Sequence, residues 1–317
     1  MSLSKTDTSW VYNYIKSRFG CFSNEFENDT ILARPEIPTK LYKYYPSSYH
    51  AIRNFETTSV WLSSPAKDYN DPFECLPAIG IKDWFLNHAY KYYLKTPEGT
   101  QIANKLQEKI KNAKNIKEEN YWLNSIREPY SIDVNKRFIE KVKENKLMTA
   151  CFSERNDSIL MWSHYADEHK GFCLEFDFTQ WNPALVCLLP VVYSAKRVEY
   201  PASYLDKHCD NDCQNCGAYI LKQAYVTKHI DWEYEKEWRI IYSGSNTKEV
   251  PLINPLPLPK NCITKLYIGA RTEGVHKEHL IEIAQRNNIS YTEMIPSIDL
   301  FALQEKEVFQ DGIYQKA

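Results

Sequence analysis

Hydrophobic positions recur along this chain in two rhythms. Period-two runs sit at Leu41-Tyr42-Lys43-Tyr44-Tyr45, Val60–Ser64, Leu147–Phe152, Phe172–Phe178, Leu185–Tyr193, Ile263–Ile268 and 289–295, and they predict strands. Helical spacing appears between them. Pro46-Ser47-Ser48 makes a turn and a helix start, and Tyr49–Thr57 follows with Ile52 and Phe55 inward. Ser158 caps a helix from Ile159 to about His169, which Gly171 ends. Further helices are predicted over 8–19, 218–229 and 275–287. Residues 23–38 and the Pro-rich stretch 251–259 read as connectors.

Residues 80–145 differ in character. Lys, Glu, Asn and Gln are dense, and Trp84, Phe85, His88, Tyr92, Ile102, Leu106, Ile110, Phe138 and Val142 fall at helical spacing. This predicts a helical insertion whose charges form a solvated surface. The fold class expected is α+β: a mixed, mostly antiparallel split sheet with flanking helices and that insertion. A helix and connector would occupy 1–39, one domain 40–303 and a tail 304–317.

Composition narrows the function classes. Among 317 residues, 43% are hydrophobic and 25% charged, as in ordinary soluble domains. A net charge of −2 provides no global basic field for nucleic acid, although a local basic patch or a protein target stays open. No apolar run is long enough for a membrane helix, and Met1–Asp7 lacks the apolar stretch of a signal peptide, so cytoplasmic residence is expected. The nine cysteines are then expected to be mostly reduced. With only nine glycines there is no phosphate-cradling loop, dinucleotide fingerprint or nucleophile elbow.

The segment Asp231–Tyr242 carries the densest chemistry. Read as a strand, it lines Glu233, Glu235, Glu237 and Arg239 along one side and Trp232, Tyr234, Lys236 and Trp238 along the other. Adjacent carboxylates repel unless a cation or substrate intervenes. The alternative is a solvated edge strand with Arg239 as counter-ion. Met161–His169 supplies Trp162 and His164, a base or anion binder, or else a histidine paired with Glu168 four residues on. Cys209, Cys213 and Cys216 have the short spacings of structural zinc ligands, with Cys187 or His229 as a fourth; incidental thiols are the other reading. Asn70, Asp71 and Glu74 form an Asx-type turn, or join Glu175, Asp177 and Glu237 in holding Mg²⁺ for a nuclease.

The phrases "LYKY", "VWLSSPAKDYNDPFE", "CFSERNDSILMWSHYADEHKGFCLEFD", "VVYS", "WEYEKEWRII" and "LYIGAR" occur in that order across residues 40–303. Together they resemble a widespread bacterial domain-of-unknown-function family (two-nine-seven-one), which implies a role beside phage-defence and abortive-infection genes, as a toxin or defence effector. The order of elements is also similar to the ADP-ribosyltransferase fold. That resemblance implies a first strand at Leu41–Tyr45, a second at Trp61–Ser64 and a late acidic motif at Glu235-Lys236-Glu237.

The same resemblance implies roles. Glu237 would stabilise an oxocarbenium-like state at the ribose of NAD. Glu235 would position the acceptor and His164 would orient it. Tyr42, Lys43, Ser63, Ser64 and Trp162 would bind NAD. The first strand departs from the transferase pattern in having Lys43 where Arg or His is usual. Three functions follow: an NAD-dependent transferase acting on nucleic acid or protein, a Mg²⁺-dependent nuclease, or a non-catalytic recognition module.

Overall fold

The computed structural model describes residue 11 and residues 38–80, 96–125, 147–180, 187–201, 223–243, 254–306, 308–310 and 313–315. They fall into two compact units, one from 33–69, 146–193 and 230–317, the other from 1–32, 70–145 and 194–229.

In the first unit the period-two segments form an eight-stranded sheet. Its strands are β1 (Lys40–Tyr45), β2 (Leu147–Ser153), β3 (Phe172–Asp177), β4 (Cys187–Pro190), β5 (Glu237–Ser243), β6 (Ile263–Ile268), β7 (Ser290–Pro296) and β8 (Leu303–Glu305). Their order is β8-β7-β6-β3-β1-β2-β5-β4. Neighbours run antiparallel except β6 and β7. A parallel pair needs a crossover, and the helix Gly274–Arg286 supplies it. The expected α+β class is the observed one.

Alternation along the strands makes two unlike faces. The back face is apolar: Leu41, Tyr45, Phe152, Leu174, Phe176, Trp238 and Ile240 pack with Ile52 and Phe55 of α1 (Tyr49–Glu56) and with Leu280, Ile283 and Ala284 of the crossover helix. Each such buried side chain contributes about 1.5–3 kcal/mol. The front face is covered by α2 (Ile159–Tyr165), whose Met161 and Trp162 pack with Tyr44, Cys173, Tyr267 and Met294. Ser158 caps α2 as the sequence implies, its hydroxyl accepting from Met161 N.

The helix expected to reach His169 stops at Tyr165. Asp167, Glu168 and His169 then take φ values of 49°, 53° and 70°. A left-handed turn of three non-glycine residues is costly, and hydrogen bonds hold it: Gly171 N donates to Ala166 O, and Arg271 N to His169 O. Gly171 is required by close approach, since a Cβ there would collide with the backbone oxygen of Tyr45. The expected pairing of His164 with Glu168 is absent because Glu168 lies beyond the helix.

β1 and β2 pair at a single position, Tyr42 with Ser153, so the sheet splits there. Two groups satisfy the opened edge of β2. Lys43 Nζ donates to Cys151 O at 3.0 Å, and Ser63 exchanges backbone hydrogen bonds with Thr149 at 2.8 and 2.9 Å. The second strand expected through Ser64 is correspondingly short, Ser59–Val60, with Ser63 as an isolated bridge.

In the other unit the described insertion residues are helical, Pro97–Lys111 capped by Thr96 and then 116–125 capped by Asn115. Asp71 accepts from Phe73 N in an Asx turn, and Glu74 forms a buried ion pair with Lys228 at 3.5 Å. Cys209, Cys213 and Cys216 lie outside the described residues, as does the predicted helix over 8–19 apart from Val11.

Candidate functional site

The acidic segment is not one strand. Ile230–Glu235 forms a 3-10 helix, and β5 begins at Glu237. Lys236 between them has a φ of 45°, which turns the chain and sends the two flanking carboxylates to different partners. Nor is β5 an edge: β2 and β4 flank it. Glu233, at the surface, pairs with Lys236 at 3.3 Å.

Glu237 is 5% exposed and faces Arg239 across one residue of β5. Arg239 donates to both carboxylate oxygens, Nε to Oε1 at 2.7 Å and Nη2 to Oε2 at 2.8 Å. A planar guanidinium matches a carboxylate in this two-bond geometry. Tyr69 covers the pair: its ring lies 5.4 Å from the Arg239 guanidinium, and its hydroxyl bonds Thr149 Oγ1 and Cys151 Sγ. Burial, reinforced by Glu237, pushes the Cys151 thiol up to about 12, so it stays protonated.

Glu235 is 2% exposed. The Tyr165 hydroxyl donates to its Oε1 at 2.6 Å, and Ser153 Oγ donates to its backbone oxygen at 2.6 Å. Around Tyr165 the rings of His164, Tyr234 and Trp232 form a wall. The His164 ring lies 6.3 Å from Tyr165 and 6.4 Å from Tyr234, and Trp232 lies 6.0 Å from Tyr234. His164 is exposed and the other three are partly so. Helix α2 and the 3-10 helix thus bring two aromatic segments together over one buried acid. Tyr165 had no signal of its own in the sequence. Its partner lies seventy residues away in the chain.

Further along the front face stands a third buried acid. Glu175 accepts from Lys40 at 2.8 Å, Thr264 at 2.7 Å and Tyr267 at 3.0 Å. Burial opposes its charge, but these three donors outweigh it and hold its carboxyl below the usual value. Tyr42 beside it is raised to about 12 by burial and by Glu175. Register places Glu237, Ser153, Tyr42 and Glu175 in one row across four strands. That separates Glu237 from Glu175 by about 14 Å, too far to share an ion. Among the described residues no three His, Cys, Asp or Glu side chains gather as a metal site.

The residues expected to hold NAD do not converge. Tyr42 faces the front, whereas Lys43 belongs to the back face and turns its amine into the split, 5.6 Å from the centroids of Tyr45 and Phe152. Burial lowers the Lys43 pKa, with Cys151 and Glu237 acting against that. Trp162 is fully buried and spends its indole N–H on Asn156 O. Ser63 is tied to Thr149, and Ser64 N donates to Asp68 Oδ2 at the start of the short helix Pro65–Asp68. What does converge is Glu235 with Tyr165, His164, Tyr234 and Trp232.

Among the described residues no helix is long and apolar enough to cross a membrane. Neither a curated protein nor a solved structure matches the chain. Residues 161–240, which carry the aromatic wall and Glu235, Glu237 and Arg239 but not β1, match the model of the family described as "Protein of unknown function (DUF2971)".

Proposed function

We propose that the group formed by Glu235, Tyr165, His164, Tyr234 and Trp232 binds a nucleotide-type ligand and favours breakage of its N-glycosidic bond. This is an ADP-ribosyltransferase-like reaction with NAD as donor and a nucleic acid or protein as acceptor, serving a toxin or phage-defence role. The observation that carries it is the buried carboxylate of Glu235 held by Tyr165 beside a partly exposed aromatic wall. This donor set suits a flat, positively charged ring, because aromatic faces attract cations and a carboxylate adds to that field. When bound, NAD would supply a good leaving group and an electron-poor sugar carbon.

The chain's own groups then have separate tasks. Trp232 and Tyr234 stack the ring. Glu235, through its hydrogen bond, fixes the Tyr165 hydroxyl and concentrates negative charge where positive charge develops. His164 is exposed on the same wall and takes the acceptor's proton. Glu237, saturated by Arg239, holds the start of β5 and so positions Glu235 two residues earlier.

The test is a melting-temperature shift with NAD for the wild type, Glu235→Gln and Tyr165→Phe, followed by release of labelled nicotinamide. A ligand that binds the native state raises the melting point. A shift in the wild type and no nicotinamide release from Glu235→Gln support the proposal. A wild type that neither shifts nor releases nicotinamide sinks it.

A second reading is favoured by the burial of Glu235 itself. A carboxylate only 2% exposed and already bonded by the Tyr165 hydroxyl is poorly placed to touch a substrate. The same wall would then serve recognition only. In that case Trp232→Ala and Tyr234→Ala abolish binding, while Glu235→Gln and Glu237→Gln leave it intact.

A further inference from the structure

β6 and β7 run parallel and are joined by the crossover helix Gly274–Arg286. A parallel strand–helix–strand unit leaves a crevice outside the carboxyl ends of its strands, and such units hold ligands there. A cleft of about 530 Å³ lies at this place. It is lined by Ala270 and Arg271, which follow β6, by the end of β7 and the turn 297–302 after it, and by Ile159 and His169. Small-molecule sites span about 300–1,000 Å³, so the cleft has the size of one.

Its lining is apolar apart from a few polar groups. Ile298, Leu300 and Phe301 of the turn are exposed, so large apolar side chains of the lining face water. The walls are fixed in place: Ser297 N donates to Ala302 O at 2.9 Å, Arg271 N to His169 O at 2.9 Å, and Thr272 Oγ1 to Gly171 O at 2.9 Å. A ligand therefore pays little to order them. The Arg271 guanidinium is exposed, bonds only Glu168 O at 3.5 Å, and pairs with no carboxylate among the described residues. His169 stacks on Trp162, with ring centroids 6.4 Å apart and planes at 13°. Burial and the charge of Arg271 lower its pKa, so Arg271 is the cation of the cleft at neutral pH. One guanidinium balances one negative charge. Asp299, also in the lining and bonded by Ser297 Oγ at 3.2 Å, repels a second.

We infer that this cleft binds a small organic monocarboxylate with an apolar tail, its carboxylate on Arg271 and its tail across Ile298, Leu300 and Phe301. The guanidinium fork matches a carboxylate in shape and charge. An inorganic anion would use Arg271 and none of the apolar lining. A neutral hydrocarbon would cover the lining and leave the guanidinium without a counter-charge. A phosphate monoester would bring a second negative charge towards Asp299. None of Glu235, Tyr165, His164, Tyr234 and Trp232 lines the cleft, so this binding does not depend on the chemistry of that group.

Titration calorimetry of the full chain with octanoate and with phenylbutyrate, both below their micelle-forming concentrations, tests this. Acetate, octylamine and octyl phosphate serve as the comparison ligands. The expected result is one molecule of either acid bound per chain, with a negative heat-capacity change from the buried tail. Acetate and octylamine should not bind, and octyl phosphate should bind more weakly. Arg271→Gln and Phe301→Ser should each weaken octanoate by about tenfold or more, through the lost charge-assisted hydrogen bonds and the lost apolar contact. Arg271→Lys should fall between Arg271→Gln and the wild type, because it keeps the charge without the fork. Both positions are exposed, so unliganded melting points should stay at the wild-type value and separate lost binding from lost folding. A wild type that binds neither acid overturns the proposal, including one that instead forms a dimer lost in Phe301→Ser. Octanoate binding indifferent to Arg271→Gln and Phe301→Ser overturns it, as does tighter binding of octyl phosphate.

Discussion

Arg239 clasps Glu237 from two residues along the same strand, through hydrogen bonds of 2.7 and 2.8 Å, with the Tyr69 ring laid over its guanidinium. Both charges are buried. Glu237→Ala takes from the buried guanidinium the carboxylate that accepts two of its hydrogen bonds and should cost about 3–5 kcal/mol. Replacing both members with apolar residues of similar volume should recover most of that loss. Urea unfolding of the single and double variants measures this. A Glu237→Ala protein as stable as the wild type would show that the pair is not the element holding β5.

Tyr165 and Glu235 form the second coupled pair, and their roles separate by chemistry. Tyr165→Phe removes one hydroxyl and keeps the ring. Ligand stacking on the wall should persist while turnover falls, so kcat drops by about tenfold or more with KM little changed. Steady-state kinetics on an NAD analogue with a coloured leaving group resolves the two effects.

Acid sensitivity should trace in part to Glu175. Its carboxyl is held below the usual value by Lys40, Thr264 and Tyr267 against the opposing effect of burial. A depressed folded-state pKa contributes stability that is present above the unfolded pKa and is lost as pH falls through the folded one. Glu175→Gln should therefore lower stability at neutral pH by about 1–3 kcal/mol. It should also flatten the decline between about pH 5 and pH 3. Melting curves across that range check it. His169, lowered by burial and by Arg271, acts in the same direction, so some acid sensitivity remains in the variant.

Ser158 couples a helix cap to the site. Its hydroxyl accepts from Met161 N at the start of α2, the helix that carries Trp162, His164 and Tyr165. Ser158→Ala should cost about 1 kcal/mol. Ser158→Asp should retain most of it, because an aspartate accepts the same hydrogen bond and suits the helix N-terminus. Thermal unfolding of the two variants distinguishes a cap from a merely small buried residue.

Most of the strands and the flanking helices were legible in the chain. Period-two alternation marked Leu41–Tyr45, Leu147–Phe152 and Ile263–Ile268, and Ser158 marked the start of its helix. These signals are local: side-chain direction follows from backbone geometry within a few residues. The acidic segment misled for a reason just as local. Glu233, Glu235 and Glu237 alternate as a strand would, but the positive φ at Lys236 divides them into a helical turn and a strand, and alternation carries no trace of that turn.

What each carboxylate touches was decided only by tertiary structure. Arg239 lies two residues from Glu237, so this pairing was visible as the counter-ion reading. The partners of Glu235 and Glu175 were not, because Tyr165 is seventy residues from Glu235 and Tyr267 is ninety-two from Glu175. Lys43 appeared available for a ligand, yet the split between β1 and β2 draws its amine onto Cys151 O. By itself the sequence determined the elements, the apolar back face and which residue types could do chemistry. The register between distant strands and the seating of α2 on the front face decided which of those residues meet, since a contact between distant segments depends on global packing and not on any local period.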